Sequence, residues 1–550
     1  MSSSAARRSH PDTVRHIHPA VWPQYPFDEP PKARERSEPR YNIRAETDQR
    51  IKMRDGVHLA ADVYRPRVTG QKFPALLSIS PYTRQLQVTE VPIGQNEAGL
   101  TEFWVPRGYA HVIVDVRGSN DSEGSYDDKG EKEQGDYLEL IEWAARQPWC
   151  NGKVGMIGCS YFALVQLLSA VHQPDALAAI FPYDGYTDLY RHRTFHGGVP
   201  YLGFMKGWFA AVGNLNFQSG RLKDRSGLDQ MMRDHLNLEH PFDGEFFQIR
   251  SPHKVLRNIK IPTYFGCDWS FWWLHLPGAF QGWEGTGKIP KRMLIGPKPQ
   301  PWRPFGAYHE EALRWYDHWL KGMDTGVMEG PPIQLWIQGE NRWRGEPDWP
   351  LPRTQWKKLY LGGPGGTHGT LSDTPGGGGE RAYAYSPFTR EWRFGNPRLI
   401  YRTEPMAGPY ELTGPLSLHL AARSSAEDTD WMVHLQDEAP DGSCRTLTKG
   451  WLRASHRELD EKLSKPGRPW HPHLRAVPLT PGKEEAYEIE LCPTCNVFQP
   501  GHRVRLEISS AFPFAENLSF HESLPLPADN TVLEGREGSY LLVPVIPKQA

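Results

Sequence analysis

The 550-residue chain is poor in cysteine, in charge of one sign and in long apolar runs, and each shortage excludes a class of protein. Six cysteines cannot build a disulfide scaffold of this length, which fits a reducing compartment. Cys492 and Cys495 form one C-x-x-C with no second pair or histidine set at zinc-ligand spacing, so they read as two thiols near a strand end, and no metal is expected. Lys and Arg total 63 against 65 Asp and Glu, a formal net charge of −2, without the basic face that a nucleic-acid partner needs. No segment approaches the ~18 uninterrupted apolar residues of a membrane span. The opening MSSSAARRSHPDTVRHIHP carries Arg and His where a signal peptide is apolar. These absences predict a soluble, cytoplasmic protein with no membrane partner and no cofactor. A homo-oligomer is compatible with them.

Aromatics and turn formers are abundant: 20 Trp, 22 Tyr and 22 Phe beside 50 Pro and 52 Gly, which suits a loop-rich enzyme with β domains. The length exceeds what one hydrophobic core supports, so several domains are expected. Residues 1–45 lack apolar periodicity and read as an arm. Asp55-Gly56 predicts a tight hairpin between Ile51 and the run from Leu59 to Tyr64. Short apolar runs at Pro74 to Ile79, Ala110 to Asp115, Val154 to Gly158, Ile261 to Gly266 and Arg292 to Gly296 read as buried parallel strands. Helical patterns at Thr101 to Arg107, Glu131 to Gln147, Phe162 to Val171 and Tyr308 to Leu320 alternate with them, which means a doubly wound α/β sheet. The core is expected over residues 46–183 and 259–328, with a helical cap at 184–258. Residues 329–550 turn to short alternating strands, among them Ile333 to Ile337, Leu416 to Ala421, Trp431 to Leu435 and Val504 to Ile508, and predict an all-β sandwich or jelly roll.

Gly158-Cys159-Ser160-Tyr161 lies between an apolar strand and an apolar helix, the setting in which G-x-S-x-G forms a nucleophile elbow. Small residues are needed there because the turn is strained and lifts the serine out of the sheet. The last position is Phe162, so the motif alone also admits a serine at an ordinary helix cap.

Further segments, in matching order, resemble the cocaine-esterase and X-prolyl dipeptidyl-peptidase group of α/β-hydrolases. They are Met53-Arg54-Asp55-Gly56-Val57 with Ala61-Asp62-Val63-Tyr64-Arg65-Pro66, then Ser80-Pro81-Tyr82, Gly108-Tyr109 with Asp115-Val116-Arg117-Gly118, and Gln147-Pro148-Trp149-Cys150-Asn151-Gly152. Trp315-Tyr316-Asp317-His318-Trp319-Leu320 continues the series, and Ser424 to Asp430 and Asn496 to Arg503 resemble that group's jelly roll. The resemblance implies an α/β-hydrolase core with a helical cap insertion, a C-terminal β jelly-roll domain and Ser160 as nucleophile. In that group the S-P-Y tyrosine donates its hydroxyl to the oxyanion beside the backbone N–H that follows the nucleophile. These positions match Tyr82 and Tyr161. Such donors supply a few kcal/mol of transition-state stabilisation. The other reading of Tyr82 is a core aromatic.

The rest of the triad departs from the group's pattern. Its acid stands in a G-W-x-D segment, whereas Gly266-Cys267-Asp268-Trp269 carries the carboxylate one position early, which makes Asp268 the candidate acid. Its base is the His of G-P-W-x-H, whereas Gly296-Pro297-Lys298-Pro299-Gln300 has glutamine there. Gln300 cannot accept and return a proton near neutral pH. His275, in the loop after Asp268, is the candidate stand-in, while His309 and His318 read as packed helix residues. Relatives that prefer α-amino substrates place acids just after the triad acid. Here Trp269, Phe271 and Trp272 form an aromatic wall suited to an apolar or aromatic acyl or alcohol group. The expected function is hydrolysis of a small-molecule ester or amide through Ser160. The rivals are a catalytically altered relative that performs acyl transfer or cyclisation or only binds its ligand, and a carbohydrate-binding jelly roll.

Overall fold

The computed structural model describes residues 34–88, 97–218, 224, 226–236, 238–271, 273–297, 305–387, 397–511, 527–535 and 538–547. The first part supplies strands β1 (Ile43–Lys52), β2 (His58–Pro66), β3 (Phe73–Ser80), β4 (Ala110–Asp115), β5 (Cys150–Met156) and β6 (Leu177–Ile180). After them come β7 (Phe195–His196), β8 (Val199–Pro200), β9 (Thr263–Asp268), β10 (Lys291–Gly296), β11 (Ile333–Ile337) and β12 (Arg342–Glu346). Its helices are α1 (Arg84–Gln87), α2 (Thr101–Trp104), α3 (Glu131–Ala145), α4 (Tyr161–Ala170), α5 (Leu202–Gln218), α6 (Ser226–Leu236), α7 (Glu245–Ile249), α8 (Leu276–Gly285) and α9 (Phe305–Lys321).

Ten strands form one sheet in the order β1-β2-β4-β3-β5-β6-β9-β10-β11-β12. Neighbours from β4 to β11 are parallel, and the β1/β2 and β11/β12 hairpins at the edges are antiparallel. Every residue of β3 is buried, as parallel strands require when helices cover both faces. Its side chains alternate: Ala75, Leu77 and Ile79 join the core shared by α3, α4 and α8, whereas Leu76 joins that of α2 and α9. Gly155 of β5 lets α9 seat closely, since a Cβ there would lie 2.9 Å from Tyr316 and Leu320. The predicted hairpin forms, with the Met53 N–H donating to the Val57 carbonyl at 2.8 Å.

The cap segment is mostly helical, but it also carries the β7/β8 hairpin, which no strand pattern announced. Two-residue strands are too short to show a period. Its Gly197 carbonyl accepts the Arg453 N–H of the C-terminal domain at 2.8 Å.

Ile333–Ile337, expected as the first strand of the C-terminal domain, is instead β11 of the core sheet, in parallel register with Met293 to Ile295 of β10. The core sheet therefore runs to Glu346, past the expected boundary at 328. An alternating edge strand of this sheet and a jelly-roll strand share one periodicity, so the pattern could not assign the partner. Beyond it, eleven strands between Gln355 and Ile546 form a second sheet. Tyr540–Ile546 pairs with both Gln355–Gly362 and Tyr410–Ser424, which closes the sheet into a barrel. The predicted strands at Leu416, Trp431 and Val504 lie within it. Of the expected arm, residues 34–45 are described; Ser37 donates through N–H and Oγ to Asp317 of α9. Among the described residues, no helix is long and apolar enough to cross a membrane.

Candidate active site

At the carboxyl end of β5 the chain turns sharply into α4. Gly158 has φ +126°, and a Cβ there would meet the Cβ of Phe162 at 2.4 Å, so only glycine fits. Ser160 then adopts φ 60° and ψ −114°, a left-handed conformation that a side-chain-bearing residue rarely takes. Phe162 takes the place of the usual second glycine, and the elbow forms regardless. Ser160 is half-buried at the helix start, its N–H bonded to the Tyr183 carbonyl at 3.2 Å. The next amide, that of Tyr161, is among the first N–H groups of α4, which a helix cannot satisfy internally.

Tyr82 lies just beyond β3, in a loop fixed from below. The Asn120 side chain donates to the Pro81 carbonyl at 2.8 Å, and the Arg84 N–H donates to Asp115. The Tyr82 ring stands edge-on to Tyr161 at 6.1 Å and is 5% exposed. Its oxygen accepts a 2.9 Å hydrogen bond from the Trp208 indole of α5. Burial pushes its pKa up, so the hydroxyl stays protonated, and with Trp208 as the donor in that bond its own proton remains available.

Asp268 ends β9, level with Gly296 of β10. Its Oδ1 accepts the N–H and hydroxyl of Ser270. His275 sits at the start of α8, 2% exposed, stacked on Tyr186 at 6.4 Å and packed on Phe271 at 5.6 Å. Trp269 departs from the expected aromatic wall. Its indole donates to the Trp336 carbonyl at 2.7 Å and its ring packs on Phe280, which holds it in the core beside β11. Phe271 instead contacts Trp273, which packs on Tyr201 and Phe204 of the cap region. Trp272 and Gln300 lie outside the described residues. His309 is stacked on Phe103 at 4.5 Å between α2 and α9, and burial holds its pKa well below the ordinary value. His318 bonds to the Met323 carbonyl. Both are packed helix residues.

Sequence reasoning passed over Trp208 and a buried ionic group behind Tyr161. The Tyr161 hydroxyl donates to Glu133 Oε1 at 2.6 Å, and the Glu133 Oε2 accepts the Lys129 N–H. A signal existed: Glu133 falls in line with Tyr137, Leu140, Ile141 and Ala144 on the buried face of α3, where an acid needs partners. Nothing comparable marks Trp208 in an aromatic-rich cap.

A family model described as X-Pro dipeptidyl-peptidase (S15 family) matches residues 55–299, and the X-Pro dipeptidyl-peptidase C-terminal non-catalytic domain matches residues 325–529. Cocaine esterase of Rhodococcus sp. is 28% identical over 559 residues, covering 84% of this chain and 90% of that protein. A CocE/NonD family hydrolase from Staphylococcus aureus superposes with a TM-score of 0.81 at 26% identity, covering 92% of this chain and 94% of that one. The chain belongs to the cocaine-esterase and X-prolyl dipeptidyl-peptidase family. An α-amino acid ester hydrolase shares the fold at 23% identity, with a TM-score of 0.71 over 94% of this chain and 98% of that one. As a member of this cocaine-esterase-like family, the chain is a hydrolase with an α/β core and a β-rich C-terminal domain.

Proposed function

We propose that Ser160 attacks the carbonyl carbon of a small ester or amide carrying an apolar or aromatic group, with the Tyr82 hydroxyl and the Tyr161 N–H receiving the oxyanion. The observation that carries this reading is the strained elbow at Ser160 beside a Tyr82 hydroxyl that accepts from Trp208. The serine oxygen forms the acyl bond as its proton leaves to a base, the alcohol or amine departs with a proton, and water hydrolyses the acyl-enzyme. Asp268 is the proposed acid. Phe271, with Trp273, Tyr201 and Phe204 behind it, offers the apolar contact that Trp269 does not.

The second reading, acyl transfer, cyclisation or ligand binding by an altered relative, is favoured by Gln300 at the position of the family's histidine. A triad that lacks its base typically loses on the order of 10⁶ in turnover. If the altered reading holds, hydrolysis of p-nitrophenyl esters is weak, Gln300→His raises it and His275→Ala changes nothing. If His275 serves as base, His275→Ala removes turnover and Gln300→His adds little. Robust turnover that survives both substitutions would contradict both readings of the base.

A further inference from the structure

The turn that enters α3 buries charge at the back of this site. Asp128 and Lys129 have φ 39° and 67°, two successive side-chain-bearing residues in the region that favours glycine. Such strain persists only where the surroundings enforce it. The turn directs both side chains inward: Asp128 is 2% exposed, and Lys129 is fully buried. The Asp128 carboxylate is the shared anchor of an ion pair with the Lys129 ammonium, a second with Arg193 at 3.3 Å and a 2.9 Å bond from His235. Each cation stands over one aromatic ring. The Lys129 ammonium lies 4.0 Å from the centre of the Tyr161 ring, and the Arg193 guanidinium 5.1 Å from that of Trp208. The two rings are nearly parallel, 5° apart at 6.4 Å. Tyr161 follows the nucleophile, and Trp208 donates to Tyr82. One carboxylate thus reaches both proposed oxyanion donors through two cations and two rings.

We infer that Arg193 is a positioning residue for the oxyanion donor Tyr82, acting through the Trp208 indole; this rests on the roles proposed above for Ser160 and Tyr82. A 3.4 Å hydrogen bond to the Tyr186 hydroxyl and the Asp128 pair fix the guanidinium, so the indole plane it faces is fixed too. A cation over an indole draws on its π density and strengthens its N–H as a donor. The Tyr82 oxygen that accepts this bond becomes a better donor in turn, and its hydroxyl is aimed instead of free to rotate. The effect falls on the transition state, where negative charge develops, and leaves substrate binding alone.

A double-mutant cycle on p-nitrophenyl ester hydrolysis tests this. Arg193→Met is expected to lower kcat roughly 10-fold with KM within about twofold, the worth of about one hydrogen bond in the transition state. In a Tyr82→Phe background the same substitution should change kcat by less than about twofold, because the group it acts through is gone. Equal losses in both backgrounds, or a loss confined to KM, would overturn the inference. Should Arg193→Met fail to fold, Trp208→Phe, which keeps a ring but not the N–H, decides by the same cycle. An unchanged kcat in Trp208→Phe overturns the inference. Wild-type turnover that does not depend on Ser160 overturns this inference together with the proposed function, whereas Ser160-dependent turnover with additive Arg193 and Tyr82 effects overturns this inference alone.

Discussion

Two arginines are buried, Arg84 at the start of α1 and Arg193 in the cap segment, and their surroundings differ in kind. Arg84 is 0% exposed and meets the carboxylates of Asp48, Asp62, Asp115 and Asp121. Arg193 is 3% exposed and meets one carboxylate, a tyrosine hydroxyl and the face of a tryptophan. Around Arg84 the acids outnumber the cation, and the contacts tie β1, β2, β4, the loop after β4 and α1 together. That cluster holds chain segments in place. Around Arg193 one acid serves two cations, and the remaining contacts are aromatic groups that lead to the site. The same residue type fastens the fold in one place and adjoins the proposed chemistry in the other, and the partner set decides which.

The largest effect is expected from Arg84→Met. Removing one member of a buried ion cluster leaves its partners uncompensated, which costs about 3–5 kcal/mol. A denaturant melt should show that loss, and a normal melt would erase the contrast between the two arginines. Tyr82→Phe should reverse the pattern. Turnover should fall by roughly 10²–10³, as when one oxyanion donor is removed, while the melt barely moves. If stability fell as far as in Arg84→Met, Tyr82 would be the core aromatic of the alternative reading.

A smaller effect separates the clusters by pH. His235 bonds to Asp128, and burial holds its pKa down to about 4. The unfolded chain, with histidine near 6.5, binds that proton first. The contribution of His235 to stability is therefore complete above about pH 6.5 and is lost as pH falls toward 4, at no more than ~1.4 kcal/mol per pH unit. Other buried histidines, His309 among them, add to the same slope between pH 7 and pH 5, so unfolding free energies of His235→Gln should fall less steeply than those of the wild type by this one contribution. An identical slope in the wild type and His235→Gln would detach acid sensitivity from the Arg193 side.

The doubly wound α/β sheet and the strand-to-helix setting of Ser160 were legible because their signals are local. Apolar runs of strand length alternate with helical periods, and Gly158 and Ser160 stand at the junction of one strand and one helix. Ile333–Ile337 was readable as a strand but not as a neighbour of β10, since a period of two says nothing about the partner. Trp269 was misassigned for a related reason: a loop aromatic beside a candidate acid gives no direction, and the Trp336 carbonyl draws it inward. Lys129 and Arg193 were illegible because a charged residue reads as surface unless its partner is known, and Asp128 and Arg193 are 65 residues apart. Gln300 lies outside the described residues, so its place in the site is argued from the sequence.

Mass spectrometry of the intact protein after reaction with a fluorophosphonate tests the central claim most directly. One adduct per chain is expected, located by peptide mapping on the segment that holds Ser160 and absent from a folded Ser160→Ala variant. A wild-type protein that stays unlabelled, or an adduct that persists in Ser160→Ala, would contradict the assignment of Ser160 as the nucleophile.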